Sequence, residues 1–103
     1  MNKEYKLQIL PLFVEDLNAI TAYIAKTLKN PAAARKLIDD VEQAIYERLP
    51  VCESFDTYPS LNERKYPYYR INVRNFTVFY VVIGDTMEVR RILYSRRNIN
   101  KVL

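Results

Sequence analysis

Arg70, Asn72 and Arg74 alternate with Tyr69, Ile71 and Val73. In an extended strand that spacing puts the three polar residues on one face. A second basic set follows in Arg90-Arg91 and in Tyr94-Ser95-Arg96-Arg97. Arg90 and Arg91 fall on opposite faces of a strand, so one of them can join the Arg70 row. Six of the nine tyrosines, Tyr58, Tyr66, Tyr68, Tyr69, Tyr80 and Tyr94, sit in the same stretch. Guanidinium groups hold phosphate through forked hydrogen bonds, and tyrosine rings offer platforms for unstacked bases. Together they suit an RNA-binding face. A half-exposed sheet that merely needs solubility shows the same alternation, so composition leaves both readings open.

Any reaction on such a face is restricted. The chain has no histidine, which excludes mechanisms that need an imidazole. Cys52 is the one cysteine, so neither an intramolecular disulfide nor a cysteine zinc site can form; it reads as a small buried apolar residue. RNA can be cleaved by its own 2′-hydroxyl if arginines stabilise the pentavalent phosphate. A weak acid or base must then come from Tyr, Lys, Asp or Glu, and Tyr94 and Glu88 are the local candidates. No cofactor is implied.

The elements that must carry these residues read clearly. The 103 residues are expected to form one domain, 1–103. Tyr5 to Leu10 reads as a first strand closed by Pro11. Phe13, Leu17, Ile20, Ile24 and Leu28 form the apolar stripe of a first helix, with Glu15 and Asp16 complementing its dipole early and Lys26 and Lys29 late. Asn30-Pro31 caps a second helix with Ala34, Leu37, Ile38, Val41, Ile45 and Leu49 inward, ended by Pro50. Its acids, Asp39, Asp40, Glu42 and Glu47, read as a solvated face rather than a metal site. Val51 to Pro67 lacks a period and reads as a surface loop. Three strands follow, 68–74, 76–83 and 87–95, the last two joined by Gly84-Asp85. The expected fold is α+β, in the order β-α-α-β-β-β. A helical hairpin packs on one face of a small, mainly antiparallel sheet and leaves the other face free for the basic residues.

Charge is unevenly spread. Residues 1–60 carry 7 basic and 9 acidic residues, and residues 61–103 carry 9 basic and 3 acidic. The basic part predicts an anion-rich partner. No apolar run approaches the roughly 20 residues of a membrane span, and Met1 to Lys6 lacks a signal-peptide layout, so the expected compartment is the cytoplasm.

Over its length the chain resembles the RelE/ParE superfamily of bacterial toxin–antitoxin toxins. The likeness is carried by Glu15-Asp16-Leu17, Ile20, Tyr23-Ile24, Asn30-Pro31, Ala33-Ala34 and Leu49-Pro50. It continues through Tyr69-Arg70-Ile71, Val78-Phe79-Tyr80-Val81-Val82 and Ile92-Leu93-Tyr94-Ser95-Arg96-Arg97. The resemblance implies a small toxin of a type II system, neutralised by a cognate antitoxin. RelE-like members are metal-independent endoribonucleases (mRNA interferases) that act on mRNA at the ribosome; ParE-like members inhibit DNA gyrase and need no nuclease site. Carried over position by position, Arg70 and Asn72 fall where RelE-like nucleases place basic residues on the second strand, and Arg97, beside Arg96, matches a basic position after the last strand. Thr77 stands where an arginine is common. The tail, Asn98 to Leu103, lacks the expected tyrosine. The expected function is therefore a ribosome-dependent mRNA interferase, with gyrase inhibition or plain nucleic-acid binding as alternatives. Its catalytic set is Arg70, Arg97, Arg91 and Tyr94, and its RNA-contacting set is Asn72, Arg74, Arg96 and Lys65.

Overall fold

The computed structural model describes residues 4–57 and 65–97. Strand β1 (Lys6–Ile9) leads into helix α1 (Pro11–Ala22), whose end widens into a π-helical turn over Tyr23–Thr27. Helix α2 (Pro31–Arg48) runs into a short 3-10 turn, Leu49–Val51. Strands β2 (Tyr69–Val73), β3 (Phe76–Ile83) and β4 (Thr86–Tyr94) complete a sheet of order β1-β4-β3-β2. β1 runs parallel to β4; the other pairs are antiparallel. The α+β order and the mainly antiparallel sheet are as expected from the sequence.

Local chemistry explains the boundaries. Leu10, restricted by the following proline, is extended (φ −80°, ψ 150°), and Pro11 opens α1. Asn30 caps α2: its side-chain oxygen accepts from the Ala33 amide at 3.1 Å. Lys29, at φ +53°, stops the preceding helix in the left-handed region. The first helix departs from expectation at this end. The Leu28 amide bonds the Tyr23 carbonyl at 3.1 Å, five residues back, which turns Leu28 off the inward stripe and leaves it 56% exposed. Glu15 and Asp16 also lie beyond the first turn, too far along to serve its dipole.

The core lies between the helical hairpin and one sheet face. Phe13, Leu37, Val41 and Ile45 from the helices pack with Ile71, Val78, Tyr80, Met87, Val89 and Ile92. The other face is not simply free. Tyr68, Phe79, Val81 and Leu93 form a second buried cluster there, so β3 is covered on both sides as its apolar run predicts.

Two turns and a bulge shape the strand ends and decide where the basic residues go. Gly84, at φ +63°, opens the two-residue β3–β4 turn, a conformation that favours glycine. Arg74 does not extend β2: it occupies the β2–β3 turn at φ +56°, a correction to its expected place on the strand face. In β4, Phe79 pairs with Arg91 and Tyr80 with Val89, so Arg90 is an extra residue in a bulge.

Candidate functional site

On the face away from the helices, Arg70 and Asn72 are exposed while Ile71 and Val73 are buried beneath them, the alternation expected of β2. Asn72 lies opposite Thr77, and Thr77 opposite Leu93. Thr77 is nearly buried, and its hydroxyl donates to Asn72 Oδ1 at 3.2 Å and lies 2.8 Å from Ser95 Oγ. These three form a neutral polar network across the sheet, where an arginine would have brought a charge. Past β4 the chain turns, the Arg97 amide bonding the Tyr94 carbonyl at 3.0 Å, and Arg96 and Arg97 are exposed.

The remaining candidates are placed elsewhere. Arg91 reaches α1 and grips Asp16 with two hydrogen bonds, Nε at 2.7 Å and an Nη at 2.9 Å. The same carboxylate accepts from the Ile92 amide at 3.2 Å, so Asp16 closes the edge of β4 beyond the reach of β1. The Asp16 hydrogen bonds hold the Arg91 guanidinium above its ordinary pKa, against the opposing effect of burial. Arg74 pairs with Asp40 of α2, Nε at 2.8 Å and an Nη at 2.6 Å. Arg90 bonds Glu88 at 2.7 Å and lies 5.8 Å from the Tyr68 ring, so Glu88 enters an ion pair rather than standing as a free acid. Tyr94 points to the helix side, its ring meeting Phe76 edge-on at 5.7 Å. Lys65 is exposed, its ammonium 5.5 Å from the Tyr66 ring. Tyr58 and the tail from Asn98 to Leu103 lie outside the described residues.

The structure thus brings Arg70, Asn72, Thr77 and Ser95 onto one face, with Arg96 and Arg97 just beyond its end. It does not bring Tyr94, Arg74 or the guanidinium of Arg91 to them. Asp16 is the partner the sequence reading missed. The signal was its place beside Leu17 and three residues after Phe13, on the inward flank of the helix.

A second polar lock lies beside β2. Tyr80, fully buried, donates its hydroxyl to the Cys52 carbonyl at 2.7 Å and accepts from Arg48 Nη1 at 3.0 Å. Burial pushes its pKa up, and the Arg48 hydrogen bond only partly opposes this. Tyr69 stacks on it at 5.1 Å, its own pKa also raised by burial. Arg48 further lies 3.5 Å over the Phe55 ring. Cys52 is fully buried, as expected, and the chain after α2 is anchored here rather than lying loose on the surface.

With this geometry in place, comparison with known proteins is specific. Residues 7–99 match the family model described as the ParE toxin of the type II toxin–antitoxin system parDE. This chain belongs to the ParE toxin family. No curated protein matches it. A solved structure titled "Chromosomal ParDE TA system from P. aeruginosa" superposes with a TM-score of 0.71 at 21% identity, covering 88% of this chain and 96% of that one. At that identity the likeness speaks for the shared fold. The ParE match takes in every strand and helix except the first residue of β1, and every candidate site residue. Among the described residues of this ParE-family chain, no helix is long and apolar enough to cross a membrane.

Proposed function

We propose that this ParE-family toxin acts by binding its target rather than by cutting RNA, that the target is DNA gyrase, and that a cognate antitoxin neutralises it in the cytoplasm. The observation that carries this reading is the Asn72–Thr77–Ser95 network. It fills the centre of the exposed face with neutral hydroxyl and amide groups, satisfied by one another. Phosphate cleavage without histidine needs converging cations and an acid or base nearby. Arg91 and Arg74 are engaged by Asp16 and Asp40, and Glu88 by Arg90. Tyr69 and Tyr80 pack with the helix-side core, and burial raises their pKa values, so both phenols stay protonated at neutral pH. Arg70, Arg96 and Arg97 are exposed, and basic groups on the surface suit contact with an acidic target, which is what a binding inhibitor needs.

The test compares two reactions of the purified toxin. Gyrase supercoiling is expected to be inhibited, and mRNA on translating ribosomes is expected to stay intact by primer extension. Cleaved mRNA with unaffected supercoiling overturns the proposal and restores the mRNA interferase, with Arg70 and Arg97 as its phosphate contacts.

A further inference from the structure

Thr77 interrupts the apolar and aromatic run of β3 and is 3% exposed. A buried hydroxyl must find partners, and both of those found here come from outside its own strand. It donates to Asn72 Oδ1 on β2 at 3.2 Å and lies 2.8 Å from Oγ of Ser95, just past the end of β4. Asn72 and Ser95 are themselves exposed. The hydroxyl therefore joins two surface residues from beneath. Packing alone does not call for it, since valine has nearly the same shape and suits a covered strand better.

Ser95 is held a second time. Its amide donates to the Asn75 carbonyl at 2.8 Å, in the β2–β3 turn. The neighbouring turn residue, Arg74, is left-handed at φ +56° and bonds Asp40 of α2 at 2.8 Å. The chain leaving β4 is thus fastened to the β2–β3 hairpin by one side-chain and one backbone bond, and the hairpin is fastened to α2. The Arg97 amide then closes on the Tyr94 carbonyl at 3.0 Å. Arg96 and Arg97 project from this tethered turn, whereas Arg70 lies two residues before Asn72 on the same face of β2. One buried hydroxyl stands under both parts of the exposed basic surface.

We propose that Thr77 is a positioning residue for target binding. Its hydroxyl locks Ser95, and with it the turn bearing Arg96 and Arg97, at a fixed place relative to Asn72 and Arg70. Basic groups from two different strands then meet the target as one rigid surface. Thr77 itself touches nothing on the target. It acts by ordering the turn during folding, so that less freedom is lost on association. The inference rests on the reading that this toxin binds gyrase, and adds the residue that presents the binding surface.

The experiment titrates the full-length toxin and its variants in gyrase supercoiling. Thr77→Val keeps the shape of the side chain, and the two partners it releases are exposed and reach water, so thermal melting is expected to change little. Ser95→Ala breaks the same tie from the solvent side and carries the test if Thr77→Val lowers the melt. Each is expected to weaken inhibition about tenfold, the ordering of a turn and its two arginines, and Thr77→Ser to restore it. In a background of Arg96→Ala with Arg97→Ala, Thr77→Val is expected to add no further loss, which a general effect on the fold would not produce. Amide relaxation by NMR is expected to show Arg97 more mobile in Thr77→Val than in the unaltered chain. Full inhibition by both Thr77→Val and Ser95→Ala, an equal further loss without the arginines, or unchanged Arg97 mobility overturns the positioning role while the gyrase reading stands. If the unaltered chain leaves supercoiling unaffected, the gyrase reading falls and this inference falls with it.

Discussion

Asp16 shows how one carboxylate can decide the fate of a candidate catalytic group. It holds both Arg91 and the Ile92 amide, at side-chain exposures of 16% for the arginine and 13% for itself. Asp16→Ala strands a largely buried cation and an amide, and is expected to cost about 2–3 kcal/mol in urea unfolding. A double-mutant cycle with Arg91→Ala recovers part of that loss if the pair acts as one unit. Tyr80 offers a second test. Its pKa is raised by burial and that of Tyr5 is pushed up to about 12 by its hydrogen bond to Glu53. Folded chains therefore hold these protons more tightly than unfolded ones. The stabilisation is complete below the ordinary tyrosine pKa of about 10 and is lost as pH rises beyond it. Stability measured by denaturant is expected to be lower above pH 10 than at pH 7, and Tyr80→Phe is expected to flatten that fall. At neutral pH the same substitution leaves Arg48 and the Cys52 carbonyl short of a partner and costs about 1–2 kcal/mol.

Among the elements, the two helices and the bulged strand do the positioning. The Asn30 cap and Pro31 start α2 in the register that points Leu37, Val41 and Ile45 into the core. Asn30→Ala is expected to lower stability by about 1 kcal/mol, read as a lower melting temperature. Leu37→Ala, at a site 2% exposed, is expected to cost about 2–5 kcal/mol by the same measurement. Both helices and all four strands were legible because their periods and turn residues are local properties: the Asn-Pro step, the two-period of β2, the Gly84-Asp85 hairpin. The π-helical turn was not. Nothing in Tyr23 to Thr27 breaks the apolar period, and the extra residue per turn arises where the chain reverses direction to enter α2. Arg74 escaped for a related reason: a left-handed arginine is uncommon, and its pairing with Asp40 helps hold it in that conformation.

For the molecule as a whole, the helical hairpin and the sheet divide the surface into a face that carries Arg70 and Asn72, an apolar groove between the end of α1 and the β2–β3 turn, and a basic turn at Arg96 and Arg97. Function belongs to this scale. Arg70→Ala and Arg97→Ala, both at exposed positions, are expected to relieve growth arrest while leaving thermal melting unchanged. Full toxicity of both variants at normal expression places the target contact elsewhere on the surface.

The sequence by itself determined the element order, most of the apolar core positions, the burial of Cys52 and the basic character of the second part of the chain. Each follows from residue type and short-range spacing. Only the tertiary structure decided which cations are drawn into ion pairs with the helices. Arg91 meets Asp16 across 75 positions of chain, Arg74 meets Asp40 across 34, and Thr77 meets Ser95 across 18. Such pairings depend on how helices dock against the sheet and where a bulge turns a strand, and no local period encodes that. The same docking drew Arg91 and Arg74 into ion pairs with the helices, while Arg70, Arg96 and Arg97 lie exposed.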